Sequence, residues 1–163
     1  MKLHLFFAAL WALLASAVPL CAQAQPQSEV ESLLKAAGTA LDRYQQLAPG
    51  IHCEEATTVE LREACKNTLA TLADRVPEAR EKIARCRQSS TPQVLDLFDA
   101  YESFRRVMAV VEDVNYIPAP YGEHNRVLLA KAYNTFVKVN EWFGGVVRQS
   151  IQTAEGCSNR ART

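Results

Sequence analysis

The 163-residue chain balances 18 basic against 18 acidic side chains, so its formal net charge at pH 7 is zero. Such balance argues against nucleic acid or an anionic membrane surface as a partner, because both are held chiefly through concentrated positive charge. The five cysteines turn attention to where the chain is delivered.

The first residues read as an export signal. Lys2 precedes an apolar run from Leu5 to Leu20, and Ala22-Gln23-Ala24 forms an A-x-A cleavage site. An uncleaved anchor is the alternative, because about eighteen apolar residues approach the length of a bilayer span. Pro19 and the small residues near Ala24 favour cleavage. A lipid anchor on Cys21 is disfavoured by Leu20, where a lipoprotein signal takes a small residue. Residues 1–24 are therefore expected to be a signal peptide, and residues 25–163 one helical domain in the periplasm or outside the cell, with no stable membrane span after cleavage. That length is enough to bury a core without a cofactor.

After the signal, apolar residues recur with a helical period. A first helix carries Val30, Leu33, Leu34, Ala37, Leu41, Tyr44 and Leu47. Ser28 and Glu31 have the spacing of a capping box at its start, and Pro49-Gly50 ends it. A second helix begins near Thr57 and passes Leu61, Ala64, Cys65, Leu69, Leu72, Val76, Ala79, Ile83 and Cys86, with a kink or a restart expected at Pro77. Glu78 with Lys82 and Glu81 with Arg85 lie one turn apart on its outer side.

Thr91-Pro92 has the form of a cap and first helical residue for a third helix through Leu97, Phe104, Met108 and Val111 to about Val114. The fourth follows Gly122 and carries Leu129, Ala132, Phe136, Phe143, Val147 and Ile151, with Gly144-Gly145 marking a kink or a close helix approach. Four helices of about 20, 30, 23 and 30 residues with short links predict an all-α fold, an antiparallel up-down-up-down four-helix bundle.

Four cysteines follow the signal: Cys53, Cys65, Cys86 and Cys157. In an oxidising compartment an even count predicts two disulfides. The bundle topology pairs Cys53 with Cys65 at one end and Cys86 with Cys157 at the other.

Chemistry-bearing groups are sparse. His52 and His124 fall in connections at one end and are weak metal candidates, with Glu54 and Glu55 nearby. Neither follows Glu at the spacing of a di-iron bundle, C-x-x-C-H is absent, and a Met108/His124 haem is disfavoured because Met108 lies on an apolar stripe. No cofactor or metal is therefore expected. Cys53 beside His52 is the one arrangement with the makings of a thiol nucleophile, although pairing with Cys65 would consume it.

The connection Asn115–Asn125 holds Tyr116, Ile117, Pro118, Pro120 and Tyr121. Its prolines force an extended corner, and Tyr116, Ile117 and Tyr121 form a candidate interaction loop, since tyrosines contact partners at low entropic cost. The expectation is a non-enzymatic binding protein of the bacterial envelope that recognises a protein or peptide. The alternatives are a periplasmic metal or small-ligand carrier of haem type and a thiol enzyme using Cys53.

Overall fold

The computed structural model describes residues 27–115 and 122–160. Among them are four α-helices and no strand: α1 Gln27–Leu47, α2 Val59–Gln88, α3 Val94–Asn115 and α4 Glu123–Arg160. Two single 3-10 turns, Ala48–Gly50 and Cys53–Glu55, lie between α1 and α2. Residues 1–24, expected to be a signal peptide, and the loop residues Tyr116, Ile117 and Tyr121 lie outside the described residues.

The helical period becomes a core because residues three and four apart share a helix face. Leu33, Leu34, Ala37 and Leu41 of α1 are essentially inaccessible, as are Leu72, Val76 and Ala79 of α2, Phe104, Val107 and Val111 of α3, and Phe136 and Phe143 of α4. Phe104 stands at the centre, 5.2 Å from Phe136 and 6.1 Å from Phe143 between ring centroids, both tilted as aromatic quadrupoles prefer. The second helix departs from the simple pattern. Between Val59 and Thr71 it buries only Cys65, while Leu61 and Leu69 are half-covered and Ala64 is exposed.

Helix ends follow local chemistry. The Thr58 hydroxyl accepts from the Leu61 amide and caps α2. That helix runs unbroken through Pro77, an exposed residue, rather than restarting there. At α3 the cap is displaced from the expected Thr91: the helix begins at Val94, and the Asp96 carboxylate accepts from the Gln93 amide at 3.3 Å. This is the back-reaching half of a capping box, and it leaves Thr91-Pro92 in the connection. Likewise α1 already includes Gln27, which puts Ser28 inside its first turn. At 38 residues α4 exceeds the expected 30 and carries Cys157 within the helix.

Helix α3 packs along α2 and α4, and α1 packs along the same two helices. The start of α1, the end of α2, the start of α3 and the last turns of α4 meet around one cavity. The other end brings together Gly50, His52, the Cys53–Cys65 disulfide and the first turn of α4. There a second, smaller apolar cluster of Ile51, Cys53, Cys65 and Leu129 lies under the turns.

The cysteine expectation is corrected in one half. Cys53 and Cys65, 12 residues apart, are bonded. Cys86 and Cys157 are not joined: Cys86 is a buried thiol whose Sγ donates to the Asp96 carbonyl at 3.3 Å. Both residues line the same cavity between the helix ends. The described residues thus contain one disulfide, not two.

Candidate functional site

At the histidine end, Asn125 is wholly buried in the first turn of α4 and clamps the chain 73 residues away. Its Oδ1 accepts from the His52 amide at 2.9 Å and its Nδ2 donates to the His52 carbonyl at 2.8 Å. A side-chain amide offers one acceptor and two donors in one plane, so it can satisfy both backbone groups of a single residue. No local signal in the sequence marks this distant partner of Asn125.

Gly122, at φ +80°, turns the chain into α4. A Cβ there would lie 2.7 Å from the Glu55 carboxylate, so both conformation and space call for glycine. Arg126 hydrogen-bonds Glu123 and holds its carboxyl below the usual carboxylate range.

The clamp brings the two expected histidines together. The rings of His52 and His124 stack at 6.2 Å and 14°, both residues are exposed, and His124 Nε2 donates to the Gly50 carbonyl at 3.1 Å. Stacked rings aim their nitrogens sideways rather than at a common point. Among the described residues no three His, Cys, Asp or Glu side chains are arranged to hold a metal ion. Cys53 lies in the disulfide and carries no free thiol, which removes the nucleophile of the thiol-enzyme alternative. Met108 packs against the main core.

The opposite end holds a cavity of about 240 Å³. Val30 and Leu34 of α1, Cys86 of α2, Val94 and Leu97 of α3, and Ala154 and Cys157 of α4 form its walls. Ser89, Ser90, Thr91 and Pro92 edge it from the α2–α3 connection, and Glu31 and Arg87 add one charge of each sign. The displaced cap of α3 explains this rim. Because α3 starts at Val94, the residues before it form an open connection beside the space between the helix ends. Ser150, Thr153, Ala154 and Cys157 present one side of α4 to the cavity, since 150, 153 and 154, and 157 follow one another at helical spacing.

Burial pushes the Cys86 thiol up to about 11 from 9.0, with smaller contributions from the carboxylates of Asp96 and Asp99. It is therefore a protonated, weakly polar wall group at neutral pH. A mostly apolar chamber edged by a few hydroxyls and charges is the common form of a small-molecule site. An engineered cavity of roughly 150 Å³ admits benzene, so one of this size takes a body of about ten non-hydrogen atoms.

The chain matches no protein-family model, no curated protein and no solved structure. Among the described residues no helix is long and apolar enough to cross a membrane.

Proposed function

We propose that the protein is an exported, non-enzymatic carrier or sensor of a small, mainly apolar molecule, held in the cavity beside Cys86 and Cys157. On this reading residues 1–24 are a signal peptide cleaved after Ala24, and the product works in the bacterial periplasm or outside the cell. The helices form an antiparallel up-down-up-down bundle, supported by the short links and by the meeting of alternate helix ends at the cavity. Of the alternatives raised by the sequence, the small-ligand carrier is the one the cavity favours. The bound species is an apolar organic molecule rather than a metal on His52 and His124.

The observation that carries the proposal is the apolar chamber itself, formed by four helices at their ends rather than scraped into one surface. Isothermal titration of the purified protein with indole and 1-naphthol tests it. Saturable binding is expected, together with its loss in Ala154→Trp. Ala154 is exposed enough for the helix to tolerate the ring, which would occupy the chamber. Unchanged far-UV dichroism would show the variant folded. Absence of heat with the unmodified protein, or equal binding by the folded variant, would refute the assignment.

A further inference from the structure

Two cysteines from different helices line one chamber, away from the bonded pair Cys53–Cys65, and form a constellation that ligand binding alone does not use. Cys86 comes from the end of α2 and Cys157 from the last turns of α4, 71 positions later in the chain. We propose that Cys86 and Cys157 form a reversible dithiol that closes into a disulfide across the chamber, so that the reduced protein accepts its ligand and the oxidised protein does not. This rests on the cavity being the binding site.

The setting of each sulfur fixes the order of events. Cys86 is 2% exposed and its thiol donates to the Asp96 carbonyl, so it is held protonated and shielded. Cys157 is half-exposed near the end of α4. Exchange needs a thiolate that can reach an incoming disulfide, and Cys157 is the one within reach. With a small disulfide such as oxidised glutathione as oxidant, the Cys157 thiolate attacks one sulfur, the S–S bond of the oxidant breaks, and one glutathione thiolate leaves. Cys86 then gives up its proton and attacks the Cys157 sulfur, expelling the second glutathione thiolate. The two protein thiols are oxidised by two electrons, the oxidant is reduced to two thiols, and the protons released by the cysteines end on them.

The new bond lies where the ligand would lie. A disulfide requires Cα atoms within about 7 Å of one another, so closure draws the end of α4 towards α2 and removes the space between Cys86, Leu34 and Ala154. By contrast the Cys53–Cys65 bond is buried over its own apolar cluster at the far end. Mild reduction therefore reaches the chamber pair first.

The test equilibrates the folded protein in mixtures of reduced and oxidised glutathione, quenches with an alkylating reagent, and maps peptides by mass spectrometry. In parallel, indole affinity is titrated in each state. A cross-linked peptide joining Cys86 to Cys157 is expected under oxidising mixtures and its disappearance under reducing ones, with Cys53–Cys65 intact throughout. Indole affinity should fall at least tenfold on oxidation in the natural protein, and in Cys157→Ser the reduced and oxidised samples should bind indole alike, whatever the variant's own affinity. In Cys86→Ser the glutathione adduct should accumulate on Cys157, whereas in Cys157→Ser little adduct should form on Cys86. Reduced protein that binds indole but never cross-links would overturn the switch and leave the carrier reading standing. Cross-linking without change in affinity would overturn it equally. Reduced protein that binds no indole removes the carrier reading and the switch with it.

Discussion

Asn125 shows how one side chain can set the geometry of a whole end. Its amide satisfies both backbone groups of His52, and replacing it by alanine removes both partners while leaving a void in a fully covered place. Unpaired buried groups are destabilising by about 1–3 kcal/mol, and the exposure of the His52 side chain gives water some access to the freed groups. Asn125→Ala is expected to lower the unfolding free energy by about 2 kcal/mol, read as a lower urea midpoint with an unchanged slope. Asn125→Leu, which fills the space without hydrogen bonds, should not restore the midpoint. Recovery by leucine would mean that packing, not the amide, holds the turn.

At the scale of the elements, the paired glycines of α4 separate into two roles. A Cβ on Gly144 would stand 3.0 Å from the Tyr101 hydroxyl of α3, whereas one on Gly145 would meet nothing within 4 Å. Gly144 therefore marks a close approach, where the Tyr101 ring also lies 5.5 Å from Phe143, and Gly145 only weakens the helix. Glycine in a helix interior is less favourable than alanine by about 1 kcal/mol. Gly145→Ala should thus raise the thermal midpoint, with a gain of up to about 1 kcal/mol, while Gly144→Ala should gain less or lose stability because Tyr101 must shift. Equal gains in the two variants would show that the Tyr101 contact places no constraint. Cross-helix ion pairs add little beside this: Arg80 of α2 reaches Asp42 and Gln45 of α1, and Lys82 reaches Asp99 of α3 at 3.9 Å. Such exposed pairs are worth a fraction of a kcal/mol, about 0.2–1.

For the whole molecule, two acids buried in the core link stability to alkaline pH. Burial raises Tyr44 from 10.0 to about 12, and it raises Cys86 from 9.0 to about 11. In both cases the folded state binds its proton more tightly than the unfolded chain does. Their contributions are complete below the unfolded values and are lost as pH rises through the folded ones. Stability should therefore decline from about pH 9, first through Cys86 and then through Tyr44, towards pH 12. Urea titrations of reduced protein between pH 7 and 11 would trace the decline. Cys86→Ala should delay its onset by about one pH unit, since Tyr44 then starts it from 10.0. A flat profile to pH 11 would show that neither group is buried in solution as it is here.

Helix number, the apolar faces and the outer pairs Glu78–Lys82 and Glu81–Arg85 were legible because each depends on residues within one or two turns. So was the Cys53–Cys65 bond, whose partners are close in sequence and share a connection. Other features were decided by residues far apart in the chain. Asn125 finds His52 only when α4 folds back beside the first connection, and His52 and His124 meet stacked rather than converging on a metal. Cys86 and Cys157 line one cavity without bonding, and which helix ends form that cavity is not written in the local spacing of either residue. Local periodicity by itself determined which segments are helices and which faces are apolar. Only the tertiary structure decided which helix ends meet, what space they leave between them and which side chains look into it, because those distances are set by contacts that no short stretch of sequence contains.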